Sequence, residues 1–247
     1  MATQEMPLAG YETTLLSRVE VAEGTMAFHF AKPAHFDFKP GQAADVTISN
    51  PPETDSEGNT RTFSIASSPF ENGLIFATRM RDTAFKRSLK NVPLGTRVTV
   101  SAAMGSFTLH KNSSRPAVFL AGGIGITPFL SIVRQADHDK LPHRLHLFYS
   151  NRRPEDSAFL EALQLLENSN PNFQLICTMT EMAQSRIEWK GETGFISQDM
   201  LSRHLDRLQG PVYYVAGPPA MVTGMRKMLV GANVDEDDIR TEEFGGY

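Results

Sequence analysis

The chain has 247 residues, enough for one large domain or two small ones with a real core. Its net charge is −4 and no run of Lys or Arg exceeds two residues, which argues against nucleic acid or an anionic membrane as a main partner. The single cysteine, Cys177, excludes an intrachain disulfide, a Cys-ligated iron–sulfur cluster and a Cys-based structural zinc site.

The N-terminal stretch MATQEMPLAGYETT has no basic start followed by an apolar segment, so no signal peptide is expected. No apolar run approaches the roughly 20 residues of a membrane helix. A cytoplasmic protein is expected, and a monomer.

The first hundred residues predict strands. TTLLSRVEV, TMAFHFA, AADVTI, TFSIASS, LIFATRM and TRVTVSA are short, partly alternating and rich in Val, Ile, Thr and Phe. Turn signals separate them at Glu23-Gly24, Lys39-Pro40-Gly41, Glu71-Asn72-Gly73 and Leu94-Gly95. Strands this closely spaced predict a small antiparallel barrel. The polar stretch NPPETDSEGNT is a loop breaking it. TAFKRSLKNV predicts a helix, with Thr83 as N-cap and Phe85 and Leu89 on one face.

From about Arg115 the rhythm changes. PAVFLA is a continuous apolar run, followed by a glycine-rich turn and a helix beginning near Thr127. RLHLFYS, FQLICTM and PVYYVAG predict further strands. PEDSAFLEALQLLENS, with Pro154 near its start, predicts a helix, as do SQDMLSRHL and PPAMVTGMRKMLVGA. DDIRTEEF predicts a final strand. Strands alternating with helices imply a parallel sheet covered on both faces. The polar stretch HKNSSRP marks the boundary, giving domains 1–112 and 113–247.

Three motifs carry chemistry. LAGGIGITP follows a buried strand and opens a helix. Gly122, Gly123 and Gly125 let the backbone turn sharply and approach a ligand, and the helix start offers N–H groups to a phosphate. A tight strand–helix turn explains the same glycines equally well. AGPPAMV, with Ala216, Gly217, Pro218 and Met221, makes a second turn at the carboxyl end of the sheet, where open α/β folds bind ligands. RTFSIASSP holds Arg61, a fixed cation suited to a diphosphate, and Ser64, a small donor and acceptor. On physics alone, that segment is an alternating strand with an exposed Arg.

Taken in order, Arg61-Thr62-Phe63-Ser64, GGIGITP, AGPPAM and a carboxylate–aromatic ending resemble the ferredoxin–NADP reductase family of flavoproteins, over nearly the whole chain. The resemblance implies a flavin-binding antiparallel β-barrel of Greek-key type followed by an α/β nicotinamide-nucleotide domain. The implied activity is an FAD-dependent NAD(P)H oxidoreductase passing hydride between nicotinamide C4 and flavin N5. The implied partners are NADP(H) or NAD(H) and a separate one-electron carrier such as ferredoxin or flavodoxin, since no iron–sulfur domain is fused. An NAD(P)H:flavin reductase using free flavin and a non-turnover redox-sensing flavoprotein are the alternatives.

Carried over residue by residue, the resemblance puts Arg61 and the Thr83 helix start at the flavin diphosphate, and Ser64 beside the reactive nitrogen. Thr62, Phe63, Thr78, Arg79 and Met80 would line the flavin. Phe63 stands where the family has tyrosine, so its ring can pack but cannot hydrogen-bond. Gly122, Gly123, Gly125 and Thr127 would meet the nicotinamide nucleotide's diphosphate. The family's Cys-Gly is Ala216-Gly217 here, so no thiol is available, and Cys177 is a core residue. After the second strand, Ser150, Arg152 and Arg153 lean towards the 2′-phosphate of NADP, with a solvated loop as the bland alternative. Glu242 or Glu243 would handle the proton. Phe244 and Tyr247 compete for the isoalloxazine face; Phe244 is the expected cover, with Tyr247 towards adenine, and Tyr247 over the ring is the alternative.

Seven histidines show no metal spacing. His143 and His146 fall on one predicted strand and would point to opposite faces. No Gly-x-Ser-x-Gly elbow suggests a serine hydrolase.

Overall fold

A computed structural model describes residues 10–245. Six antiparallel strands come first: β1 (Tyr11–Ala22), β2 (Thr25–Ala31), β3 (Ala43–Thr47), β4 (Thr60–Ser64), β5 (Gly73–Arg79) and β6 (Arg97–Val100). Their order is β4-β3-β6-β1-β2-β5, so β4 and β5 stand at opposite edges. Beyond β4 the chain bends over to β5. Ile65 bridges Phe76, and Ala66 N–H donates to Ile75 O at 2.8 Å, closing the sheet into the expected barrel. Inside are Leu15, Phe28, Phe30, Phe36, Val46 and Phe76.

The barrel is plugged by α1 (Ala84–Asn91). Phe85 and Leu89 are its buried face, as their spacing predicts, and Thr83 Oγ1 accepts from Lys86 N–H at 3.4 Å.

The second sheet is wholly parallel. It contains β7 (Ala117–Gly122), β8 (Leu145–Asn151), β9 (Phe173–Met179), β10 (Glu192–Thr193), β11 (Val212–Gly217) and β12 (Ile239–Glu243), in the order β10-β9-β8-β7-β11-β12. Every residue of β7 and β11 is buried, because helices cover both faces and leave no polar side to the central strands. The helices are α2 (Thr127–His138), α3 (Leu160–Ser169), α4 (Gln198–His204) and α5 (Pro219–Gly231). Chain order reverses between β7 and β11. Their carboxyl ends therefore form the switch-point crevice, and both glycine-bearing turns open there.

Two local expectations need correction, and one short strand was not expected. Pro154 does not start a long helix: residues Pro154–Asp156 make a 3₁₀ turn, and Phe159, at φ 60°, separates it from α3. The turn lets Asp156 bury its carboxylate against Arg153. His143 precedes β8 instead of lying on it, and its ring N–H donates to His110 O at 2.9 Å. The two-residue β10 carries no periodic signal.

The sheets meet over a seam beside α2. Ser68 Oγ donates to Ser131 O at 2.8 Å and Ser131 Oγ to Ser67 O at 2.7 Å, both fully buried. Glu71 pairs with Arg134 at 3.2 Å, and the Phe70 ring stacks on His138. Among the described residues no helix is long and apolar enough to cross a membrane.

Candidate active site between the two sheets

Two cavities share one side chain. The first, about 510 Å³, lies between the barrel and the chain's end. Strand β4 supplies Arg61, Thr62, Phe63 and Ser64; β5 supplies Thr78 and Arg79; Thr83 comes from the start of α1. Ile124 and Phe244 close it from the second sheet. Phe63 and Ser64 belong to adjacent register positions of one strand, so their side chains leave opposite faces. The Phe63 ring leans on Phe76 and Phe85 of the barrel core, as a ring without a hydroxyl can, while the Ser64 side is 5% exposed at the cavity wall.

Phe244 is positioned by the sheet. Its N–H donates to Gly217 O at 2.9 Å, which extends the β11–β12 ladder one step past the strand and sets the ring at the cavity. Tyr247 lies outside the described residues. Met80 packs against the barrel core and does not line the cavity.

Sequence reasoning missed Arg81 and Lys86, which add two cations to this cavity. Both flank the Thr83 cap, and that flanking was the available signal. Lys86 Nζ donates to Arg79 O at 2.8 Å, and burial, with Arg81 and Arg61 nearby, lowers its pKa. Four cations, an eight-residue helix's N-terminus and an apolar slot with Ser64 and Thr78 hydroxyls make a donor set that fits a flavin with its diphosphate.

The second cavity, about 200 Å³, opens at the switch point. Gly122, Gly123, Pro218 and Met221 line it from the two turns, and Ser150 and Arg152 from the end of β8. These turns are pressed together. A Cβ on Gly122 would strike the Met221 sulfur, and one on Gly125 would strike the Ala216 carbonyl. Gly123 has φ 52°, which glycine adopts freely. Gly125, Ala216 and Thr127 therefore build the turns from below; Thr127 is 1% exposed and its hydroxyl donates to Ile124 O at 3.1 Å.

Arg79 lines both cavities. Arg153 lines neither. Its Nε and Nη2 donate to the two carboxylate oxygens of Asp156 at 3.0 Å each, and Nη2 also reaches Glu23 of the barrel at 3.2 Å. Of the two adjacent arginines, only Arg152 faces the second cavity. Asn151, Asp156, Thr180 and Phe195 join it there, Phe195 being 80% exposed. The last two sit on loops without pattern, so no sequence signal marked them. Asn151 Nδ2 is buried without a hydrogen-bond partner.

Glu242 faces a third cavity, about 550 Å³, with Phe107 and Arg240. Its Oε2 is buried and unpartnered, and burial pushes the carboxyl up to about 7. Glu243 is exposed on the opposite side of β12. Cys177 is buried, and its thiol is pushed up to about 12, which makes it unreactive.

Residues 119–227 match the family profile described as the oxidoreductase NAD-binding domain. The chain is similar to the reductase component of propane 2-monooxygenase from Mycolicibacterium smegmatis, 28% identical over 218 residues that cover 86% of this chain and 61% of that protein. It thus spans about three fifths of that relative's length. Among solved structures it is similar to the flavohem-like FAD/NAD-binding domain of nitric oxide dioxygenase from Vibrio cholerae O1 biovar El Tor, with a TM-score of 0.83 at 18% identity, covering 96% of this chain and 100% of the other. A ferredoxin NADP+ reductase from Neisseria gonorrhoeae, solved with bound FAD and NADP, gives a TM-score of 0.77 at 20% identity, covering 94% and 97%. At such identities the structural likeness speaks for the fold, and the sequence match for the nucleotide-binding region. Fold, matched domain and ordered motifs together make the chain similar to ferredoxin–NADP reductase-like FAD/NAD-binding proteins, with an NAD-binding region at residues 119–227.

Proposed function

We propose that the chain is an FAD-containing NAD(P)H oxidoreductase, with residues 1–112 as the flavin domain and 113–247 as the nicotinamide-nucleotide domain. The observation that carries this is the pair of cavities meeting at Arg79, one with a diphosphate donor set and one at the switch point between two glycine-bearing turns. Bound FAD supplies two-electron acceptance from nicotinamide and one-electron release to an acceptor. Ser64 would donate a hydrogen bond to the reacting edge of the ring system, and Phe244 would cover its face. Arg61, Arg81, Lys86 and the α1 N-terminus would hold the diphosphate of FAD, and Gly122 and Gly123 would admit that of the nucleotide. Arg79 stands between the two. Glu242 lines a separate cavity with Phe107 and Arg240, so this reading assigns it no proton-transfer role.

The acceptor in this reading is a separate one-electron carrier protein or an oxygenase component, a role supported by the similarity to a monooxygenase reductase component. A cytoplasmic monomer belongs to the same reading. Anaerobic mixing with NADH, and separately with NADPH, tests it directly. Flavin absorbance should bleach with at least one, and no bleaching with either overturns the proposal.

Three mutations follow from the geometry. Arg61→Ala removes a charge-assisted contact of about 1.5–3 kcal/mol, so FAD should dissociate about 10- to 100-fold more readily, read as flavin lost on gel filtration. In this reading Arg152 is the cation that would favour NADPH. Arg152→Ala should raise the KM for NADPH about tenfold more than that for NADH. Arg153→Ala should move both alike, because its guanidinium is spent on Asp156 and Glu23.

A further inference from the structure

The loop entering β4 brings two carboxylates to the groups that a flavin diphosphate would use. Asp55 Oδ2 accepts the N–H of Ala84, the first residue of α1, at 3.3 Å. Its Oδ1 accepts Glu57 N–H at 3.0 Å and lies 3.5 Å from Arg61 Nη2. Glu57 Oε2 accepts from that same Nη2 at 2.8 Å. The other terminal nitrogen of Arg61 donates to the carbonyls of Glu57, Gly58 and Thr60 at 3.0, 3.1 and 2.7 Å.

This loop is pinned, not draped. Glu53 accepts two bonds from Arg87 of α1, at 2.8 and 2.6 Å, and Ser88 Oγ donates to Glu53 O at 3.2 Å. At the far end the Asn59 amide donates to Ile48 O at 2.8 Å. The acidic turn between these anchors brings Glu57 into the lining of the first cavity.

A carboxylate and a phosphate oxygen ask for the same donors, and two anions on one guanidinium and one helix end repel each other. We propose that Asp55 and Glu57 act as an internal counter-anion that competes with the diphosphate of FAD for Arg61 and the α1 N-terminus. Flavin affinity is then set by the loop as well as by its anchors, and Arg61 stays paired and positioned between flavin molecules. The inference rests on the FAD reading above. It makes a claim that reading does not: the loop weakens binding of diphosphate-bearing flavins and ignores flavins without phosphate.

The test is equilibrium titration of the flavin-stripped full chain, followed by flavin fluorescence, with FAD and with riboflavin. Asp55→Asn keeps an oxygen for Ala84 N–H but loses the charge. Glu57→Gln alters a side chain that is 70% exposed, so it perturbs folding least. Each variant should bind FAD several-fold more tightly, and the double variant about tenfold more tightly, with riboflavin affinity unchanged. FAD affinity that is unchanged or weaker in both variants overturns the proposal, as does equal tightening for riboflavin. Failure of wild type and variants alike to bind FAD overturns the flavin reading and this inference with it, an outcome distinct from FAD binding that ignores the loop.

Discussion

Alanine at Gly125 should abolish nicotinamide-nucleotide binding and lower the melting temperature by several degrees. The added Cβ has nowhere to go. It would strike the Ala216 carbonyl oxygen, with the carbonyl carbon at 2.6 Å and Gly217 N at 2.8 Å, all of them backbone of β11. Flexible side chains give way to a methyl group; a fully buried central strand does not. Overpacking typically costs about 1–3 kcal/mol, and a backbone collision belongs at the upper end. Because the two turns line the cavity proposed for the nucleotide, forcing them apart spoils the site as well as the stability. Gly224→Ala is the matched control. That glycine lies inside α5 with nothing near its missing Cβ, so alanine should stabilise by roughly 0.5–1 kcal/mol. Thermal melts and nucleotide titration of both variants check this. A Gly125→Ala protein with wild-type nucleotide affinity would show that the turns can separate.

The second large effect is a pH dependence. Glu242 has an ordinary value of 4.5, raised by burial to about 7. The folded chain thus holds this proton more tightly than the unfolded chain does. Stability from this group is fully present below about pH 4.5 and is lost as pH rises through 7, where the buried carboxyl must ionise. Glu242→Gln removes that loss. At pH 8 the variant should gain on the order of 2 kcal/mol over wild type, after allowance for the group's partial exposure, and the gain should shrink towards zero below pH 4.5. Paired melts at pH 5 and pH 8 measure it, and a difference that does not change with pH would rule out the titration of Glu242 as its source.

Much of the architecture was legible because the two halves use different rules. Alternating Phe and Val with glycine turns announce a barrel, while the continuous apolar runs PAVFLA and PVYYVAG announce strands covered on both faces. Thr83, Phe85 and Leu89 fixed a short helix from three side chains. The site was legible where it depends on backbone chemistry, as at Gly122 and Gly123. It was not legible where a side chain's partner is remote. Arg153 looks like a free cation beside Arg152 until Glu23, on the barrel, and the turn that buries Asp156 take it up. Arg61 looks equally free until the acidic loop folds back on it. Local pattern records which charges exist, and only the fold records which of them are already spent.

Arg79 gives the two cavities a common wall, and on the proposed reading a common charge. A cation that serves two anionic ligands ties their equilibria together. Filling either cavity alters the field and the freedom of the guanidinium that the other ligand meets. By thermodynamic linkage, whatever factor flavin imposes on nucleotide affinity, the nucleotide must impose on flavin affinity in return. On that reading, the junction between barrel and sheet is where two binding free energies are coupled, through one side chain at the end of β5.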